Sequence, residues 1–232
     1  PNLYDGVVRV YEYNSDEDTW DQIGQDLSGE LIIYDYFGMH VDINDNGDRI
    51  GVCRSRGGNV DAYIYDYDSS NNLWEQVGSK IEMLDGNNNS LFYLKLHFNG
   101  TGDRFIINHG LSSPPEARVY HFNNGDWEQL GQTIEYFKVI DSAINQSGDI
   151  IAVGSHTKLN DDDEAVGGVQ VYQLVDSSWT MLGSEITENI TNSHFGKSID
   201  LDSSGTRIVI GSSNESSDGR VRVYEYIDSS WN

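Results

Sequence analysis

Clusters of oxygen-bearing side chains at two places in the sequence could bind a divalent cation. Calcium is held by six or more oxygen atoms, mostly from carboxylates and carbonyl groups. The candidate ligands are Asp42, Asn44, Asn46 and Asp48 in a glycine-containing turn, and Asp161 and Asp163 in a run of acidic residues. The alternatives are a solvated turn and an acidic loop without metal, because runs of charge are usually solvated.

Five Asn-x-Ser/Thr sequences are a second kind of candidate site, since they are acceptors for N-linked glycans in secreted eukaryotic proteins. They lie at Asn88, Asn99, Asn145, Asn189 and Asn214. All five are in predicted turns or loops, and Asn99 and Asn145 are in tight turns. If the source is a secreted eukaryotic protein, we expect glycans on some of them.

Nothing in the residue pattern predicts a catalytic centre. The six histidines have no metal-ligand spacing, and the sequence contains neither a glycine-rich phosphate loop nor a nucleophile elbow. His109 and His156 have nearly equivalent positions on a predicted loop, where a single imidazole is more often a surface residue than a site. Carboxylates are so abundant that a pair of them does not predict glycoside hydrolysis. We therefore expect no catalytic residues and no cofactor other than calcium.

The charge of the chain restricts its partners. It has 38 acidic and 14 basic residues, and its formal net charge is -24. Such a surface repels the phosphates of nucleic acids and of anionic membranes, so we expect no nucleic-acid partner and no membrane insertion. The single cysteine, Cys53, lies in an apolar segment and is predicted to be a buried, unreactive thiol.

A repeat of 52 to 54 residues runs through the whole chain. Its clearest markers are the five tryptophans, Trp20, Trp74, Trp127, Trp179 and Trp231. A strand with alternating apolar residues precedes each tryptophan, as in Val221–Tyr226. A short strand that ends in glycine follows four of them, as in Trp127–Gly131. These two strands form a hairpin.

A second hairpin precedes the first one in each repeat. Its turn has a glycine after a small polar residue, as at Asn46-Gly47, and its second strand is apolar throughout, as at 150–153. Two hairpins give four antiparallel strands, which is the content of one propeller blade. A single twisted sheet cannot cover its own apolar faces, but a neighbouring blade can, so we expect the tryptophans to pack between blades.

The sequence therefore predicts an all-β protein, a β-propeller with about four to five blades of four antiparallel strands. The predicted units are a partial blade over 1–30, blades over 31–84, 85–135 and 136–187, and a last partial blade over 188–232. Because the repeat starts and stops within a blade, we expect the chain to be part of a larger propeller of about six to eight blades.

The segments Phe195–Gly211 and Gly219–Tyr226 resemble the FG-GAP repeat of integrin-α-like propellers. They are most similar to secreted repeat proteins of algae and aquatic bacteria with the pattern VRVYEY…W-x-Q-L-G, and Tyr172–Trp179 is similar to kelch repeats. The resemblance implies a propeller with an interaction role. The turn 42–48 is one or two residues shorter than the FG-GAP calcium loop, so the resemblance does not by itself assign calcium to it.

Two functions from different classes remain open. The preferred one is a non-catalytic extracellular or cell-surface module that binds a protein, itself in an assembly, or a glycan through loops and blade faces, because function usually lies in loops. The alternative is a glycan-active propeller enzyme, a glycosidase or lyase, with its catalytic residues in further blades. A central pocket with two converging carboxylates and a perturbed pKa would favour the enzyme.

Overall fold

The computed structural model describes residues 6–29, 35–56, 59–84, 94–109, 115–215 and 218–232, and all statements below concern these residues. This part of the chain is all-β. None of its residues form an α-helix, and it therefore holds no helix long and apolar enough to cross a bilayer.

The strands of the described part alternate with short turns and follow one another along the chain. Their bounds are β1 Val7–Asn14, β2 Thr19–Ser28, β3 His40–Ile43, β4 Arg49–Arg56, β5 Asn59–Asp68, β6 Leu73–Gln76, β7 Ile81–Leu84, β8 Leu94–Phe98, β9 Arg104–His109, β10 Glu116–Asn123, β11 Asp126–Gln129, β12 Ile134–Glu135, β13 Asp141–Ile144, β14 Ile150–Ser155, β15 Gly168–Val175, β16 Ser178–Met181, β17 Phe195–Leu201, β18 Arg207–Ser212, β19 Arg220–Ile227 and β20 Ser230–Trp231.

These strands form one two-stranded sheet and four sheets with four consecutive antiparallel strands. The sheets are β1–β2, β3–β6, β8–β11, β13–β16 and β17–β20, and the short strands β7 and β12 extend the outer edge by pairing with β5 and β10. The inner strands β3, β8, β13 and β17 contact one another in chain order. This is the β-propeller predicted from the repeat, and the prediction of four-stranded antiparallel blades is confirmed.

The hydrophobic core lies between the sheets. Each of four apolar clusters joins one sheet to the next, for example Ile64 of β5 with Leu96 and Phe105 of the following sheet. Strand β14 is buried at every position because sheets cover both of its faces. Burial of apolar surface is the main stabilising contribution in such a stack, so no sheet here is a separate folding unit.

The indole of each tryptophan after the first bonds to the preceding sheet. Its Nε1 donates a hydrogen bond to the carbonyl oxygen of the apolar residue that lies three positions after the preceding tryptophan and directly before a glycine. The pairs are Trp74 to Ile23 (3.1 Å), Trp127 to Val77 (3.0 Å), Trp179 to Leu130 (2.8 Å) and Trp231 to Leu182 (2.8 Å). Trp20 differs and is 67% exposed, because no described sheet precedes β1–β2.

A glycine with positive φ accommodates each of these indoles. Gly131 has φ +74°, and a Cβ placed there would lie 2.8 Å from Cδ1 of Trp179. Gly24, Gly78 and Gly183 have the same conformation. A Cβ placed on each would lie 2.4, 2.7 and 2.9 Å from Cδ1 of Trp74, Trp127 and Trp231, respectively. The glycine that ends each Trp-x-x-apolar-Gly segment is therefore required both by its backbone conformation and by the approach of the next tryptophan.

Gly131→Ala is expected to lower the free energy of unfolding more than Gly125→Ala. Both glycines have positive φ (+74° and +91°), so alanine is strained by about 1–2 kcal/mol at each. Only at Gly131 would the new methyl also collide with an indole, since nothing lies within 4 Å of Gly125, and overpacking adds about 1–3 kcal/mol. Urea unfolding with an unchanged m value measures both losses. Equal losses would contradict the contact with Trp179.

Candidate functional site

Polar side chains on the inner strands form the candidate site, which we call the inner-strand cluster. Each residue of this cluster lies either four or two positions before the Asn or Asp that begins the following turn. Because side chains alternate between the two faces of a strand, residues at these two positions share a face. This shared offset gives them equivalent positions in successive blades. The members are His40 and Asp42 on β3, Lys95 and His97 on β8, Asp141 on β13 and Asp200 on β17.

The buried carboxylate of Asp141 connects three blades. Its Oδ1 lies 2.8 Å from Nζ of Lys95 in the preceding sheet, and its Oδ2 accepts a hydrogen bond from the backbone N–H of Ile199 in the following one (2.9 Å). The side chain is only 4% exposed. Burial of a charge is costly unless the charge is paired and hydrogen-bonded, and both conditions are met here.

Strand β3 makes equivalent bonds to the next inner strand. Oδ2 of Asp42 accepts the N–H of Phe98 at 2.7 Å, and Nδ1 of His40 accepts the N–H of Leu96 at 3.3 Å. β8 is the inner edge strand of its sheet, so no further strand of that sheet can accept these two N–H groups. The side chains of one blade thus accept hydrogen bonds from backbone N–H groups at the inner edge of the next blade.

Burial controls the protonation of the two imidazoles. It lowers the pKa of His40 to about 4, and the neighbouring His97 and Lys95 act in the same direction. Burial also lowers the pKa of His97, while it raises the pKa of Asp42. The two imidazole rings meet edge to face with 5.3 Å between their centroids. Both are therefore neutral at pH 7, which is compatible with proton acceptance and with a purely structural role.

The first predicted calcium turn is held together by its own hydrogen bonds. Asn44 is buried, its Oδ1 accepts the N–H groups of Asp48 and Arg49 (3.1 and 2.9 Å), and its Nδ2 donates to the carboxylate of Asp48 (2.7 Å). Asp42 is directed to β8, and Asn46 is exposed. The four candidate ligands are therefore not gathered around one point.

The second predicted calcium segment is an exposed turn in the connection from β14 to β15. Asn160 closes it, since its Oδ1 accepts the N–H groups of Asp162 and Glu164 at 3.0 and 2.9 Å, while Asp161 and Asp163 are exposed. Across the described ranges, no three His, Cys, Asp or Glu side chains are grouped so that they could hold a metal ion. Calcium binding at either place remains a prediction.

The predicted glycosylation positions differ in accessibility. Asn99 and Asn145 are buried, and Nδ2 of each donates to a carboxylate of its own turn (2.7 Å to Asp103 and 2.9 Å to Asp149). A glycan on either would require its turn to open. Asn189 and Asn214 are exposed, whereas Asn88 lies outside the described residues.

The prediction that His109 lies on a surface loop is wrong. It is fully buried at the end of β9, and this strand continues two residues beyond the apolar run 105–107. His156 does lie in a turn, where its ring meets that of His194 at 5.1 Å. Cys53 is buried as predicted, and its burial raises the pKa of the thiol.

Sequence reasoning missed the inner-strand cluster as a unit. It singled out Asp42 only as a calcium ligand, although the common offset from the turn residue would have aligned it with His97 and Asp200. It also missed the ion pairs at the opposite blade ends, such as Lys158 with Glu185 (3.0 Å). Such pairs join residues far apart in sequence, and no local pattern predicts them.

Comparison with known proteins identifies the fold and no family. No protein-family model and no curated protein sequence matches this chain. It is similar to a solved protein from Lactobacillus plantarum, with 15% identity and a TM-score of 0.61 over 97% of this chain and 63% of that one. It is also similar to a candidate 6-phosphogluconolactonase from Bacteroides uniformis, with 13% identity and a TM-score of 0.59 over 96% and 61% of the two chains.

TolB from Acinetobacter baumannii is a third structural neighbour. Its identity is 14% and its TM-score 0.53, over 94% of this chain and 46% of TolB. The chain thus spans less than two thirds of each of these three neighbours. At such identities the likeness shows the fold alone, which is that of a β-propeller.

His40→Asn is expected to make stability less sensitive to acid. An imidazole with a pKa of about 4 in the folded state and near 6.5 in the unfolded state stabilises the fold fully above about pH 6.5, and this contribution is lost as the pH falls towards 4. Asparagine keeps an acceptor for the N–H of Leu96 but does not titrate. The raised pKa of Asp42 acts in the opposite direction in both proteins and cancels in the comparison.

The melting temperature from pH 7.5 to pH 4.5 measures this difference. Over this range, the melting temperature of the wild-type protein should fall further than that of His40→Asn. Parallel curves for the two proteins would show that His40 is not held neutral by its surroundings.

Proposed function

We propose that this chain is a non-catalytic extracellular or cell-surface module that binds a protein partner, itself in an assembly, or a glycan through its loops and blade faces. The observation that carries the proposal is that side chains of the inner-strand cluster form hydrogen bonds between blades. His40, Asp42 and Asp141 accept backbone N–H groups from the next blade. These bonds give the three side chains a structural role between blades that needs no substrate, which supports a module without catalysis.

Electrostatics favour a basic partner. The net charge is -24, and the connection from β14 to β15 presents four consecutive exposed acidic residues, 161–164. Complementary charge accelerates association and selects among partners. A basic protein surface therefore fits this module better than an acidic one, and the binding should weaken with increasing salt.

The resemblance to FG-GAP and kelch repeats belongs to the same proposal. The phenylalanines of both Phe-Gly pairs are buried between blades, with Phe37 5% and Phe195 0% exposed, and Gly38 and Gly196 have positive φ. The residues that carry the resemblance thus have structural tasks. This is consistent with a scaffold whose specificity comes from its loops.

One observation favours the alternative, a glycan-active propeller enzyme. Asp42 has a raised pKa, caused first by burial, and the carboxylate of Asp200 contributes in the same direction. Glycosidases use two carboxylic groups of different pKa. Among the solved structures, the candidate lactonases also suggest that propellers of this shape can carry enzymes, although at 13% and 11% identity they support only the fold.

Binding without turnover is the expected outcome of a direct test. The protein is assayed against a glycan array, a set of basic and acidic proteins, and chromogenic glycosides, uronides and lactones. Asp200→Asn serves as the diagnostic variant, because Asp200 is exposed and its replacement should leave the fold intact. Turnover by the wild-type protein that disappears in Asp200→Asn would establish the enzyme instead.

Glycan occupancy tests which of the predicted glycosylation positions a glycan could occupy on an extracellular module. When the chain is secreted from a eukaryotic host, we expect a glycan on the exposed Asn189 and none on the buried Asn99 and Asn145 in the folded product. Mass spectrometry of glycopeptides measures each position, and Asn189→Gln is the matched control. Folded protein with glycans on Asn99 or Asn145 would contradict the turn structure described above.

A further inference from the structure

Two of the five lysines have no acidic partner in the described structure. The other three form ion pairs, which are Lys80 with Glu82 (2.6 Å), Lys95 with Asp141 (2.8 Å) and Lys158 with Glu185 (3.0 Å). Lys138 and Lys197 form none with any described residue. The chain has 38 acidic and 14 basic residues, so two lysines that meet no carboxylate call for an explanation.

The strand pairing within one blade brings Lys138 close to His156. Lys138 precedes β13, and at the start of this strand Asp141 is paired with Gly154 near the end of β14. The contact extends one residue further, because Ile140 donates its N–H to the carbonyl oxygen of Gly154 (3.0 Å). His156 is the first residue after β14, so it lies opposite the segment that carries Lys138.

The next blade brings a second lysine and a second imidazole to the same place. The ring of His194 meets that of His156 edge to face, with 5.1 Å between the centroids. Lys197 follows in a tight turn, in which it donates its N–H to the carbonyl oxygen of His194 (3.2 Å). The two blades are in close backbone contact here, since a Cβ on Gly154 would lie 2.4 Å from the carbonyl oxygen of Gly196. The four side chains, which we call the lysine–histidine cluster, are Lys138, His156, His194 and Lys197.

The neighbours of His156 within this cluster are cationic. Burial lowers the pKa of His156, and three neighbours lower it further: His194, Lys197 and Lys138. They act in the same direction because each is a cation or becomes one on protonation. Nδ1 of His156 has no hydrogen-bond partner in the described structure, and Nδ1 of His194 shares a hydrogen bond with the hydroxyl of Ser213 (3.3 Å). Within the described ranges, the cluster therefore has no carboxylate bonded to it.

We propose that the lysine–histidine cluster binds an oxyanion, the carboxylate, sulfate or phosphate group of a small ligand. Ammonium and imidazolium N–H groups form short, charge-assisted hydrogen bonds to such groups. Lys138 is exposed and both imidazoles are partly exposed, so a solute can reach them. The attraction between opposite charges is stronger at such a partly buried site than in bulk water. A bound oxyanion would supply the negative charge that the described residues do not.

A metal ion is the alternative ligand for two imidazoles in contact, because histidine binds zinc, copper and nickel. Two ammonium groups beside the rings oppose the binding of a cation. The described residues also offer no third His, Cys, Asp or Glu side chain that would complete a metal-binding group. An anion therefore fits the charges of the cluster better than a metal does.

The ligand of this site has the opposite charge to the basic partner proposed above. The cluster lies at the junction of two described blades and uses none of the acidic residues 161–164. It would be present in a binding module and in an enzyme alike. Binding of an oxyanion can therefore succeed or fail independently of the proposed function.

Histidine side-chain NMR of the intact chain tests the proposal. Sodium sulfate, sodium phosphate and sodium galacturonate are each titrated at constant ionic strength, with sodium chloride as the balancing salt, because screening alone alters charged sites. We expect at least one of them to shift the ring signals of His156 and His194 to saturation, with a dissociation constant below about 10 mM. The ring signals of His40 and His97 should stay in place. The anion that binds most tightly identifies the group that the ligand carries.

Three variants at exposed lysines locate the binding site. Lys138→Gln removes one charge of the cluster and should raise the dissociation constant about tenfold or more. Lys138→Arg keeps the charge and should retain binding. Lys80→Gln is the matched control, because Lys80 is also exposed (41%) and its loss changes the net charge equally, and it should leave the affinity unchanged.

Three outcomes would overturn the proposal. The first is the absence of a saturable shift at His156 with all three anions. The second is an equal loss of affinity in Lys138→Gln and Lys80→Gln, because the effect would then come from net charge alone. The third is that zinc, titrated in the same way, binds to His156 and His194 more tightly than any of the anions.

Discussion

The contact between an indole and the preceding sheet is the interaction on which the rest of this structure depends. A twisted four-stranded sheet has two faces to cover, and in this chain only another sheet can cover them. Each indole except that of Trp20 fills the space above a glycine with positive φ and donates its N–H to a neighbouring carbonyl, as Trp179 does to Leu130. The buried ring contributes apolar area while its polar atom stays satisfied. Truncation of a buried tryptophan typically costs about 3–5 kcal/mol, so these contacts are a large part of the stability of the stack.

Polar contacts near the inner strands add a second connection between blades. The backbone of one inner turn bonds to the next, from Asp45 to Gly100 (3.1 Å), from Gly100 to Gln146 (3.1 Å) and from Gln146 to Ser203 (3.2 Å). The inner-strand cluster continues this pattern with side chains such as Asp141. A chain with a net charge of -24 can bury these carboxylates because each one accepts a backbone N–H or faces a cation.

This arrangement bears directly on function. His40 and Asp42 have altered pKa values, as catalytic residues often do, and the same two residues connect their blade to the next. Perturbed pKa values are characteristic of catalytic sites, but structural networks produce them too. The N–H groups of Phe98 and Ile199 give Asp42 and Asp141 a structural role that does not depend on a substrate.

The repeat in the sequence was enough to predict the architecture. The signals are local: tryptophans at a regular spacing, strands with alternating apolar residues, and glycine turns. Together they indicate what one blade requires, which is two hairpins, tight turns and a neighbouring sheet for the indole. The glycines after the tryptophans could be predicted in the same way, because a positive φ and a close approach leave few other residues possible. The exposed Trp20 follows from the same rule, since its role needs a preceding sheet.

The candidate site could not be predicted to the same extent. Asp42 was interpreted as a calcium ligand because it stands near Asn44 and Asp48 in sequence, yet its side chain bonds to β8, more than fifty residues away. Alternation along a strand sends neighbouring side chains to opposite faces, and the stacking of blades brings residues from successive repeats together. Local sequence could therefore specify each blade. The partners of Asp42 and Asp141 and the burial of His109 depended on how the blades pack, because burial and hydrogen bonding across an interface are properties of two sheets at once.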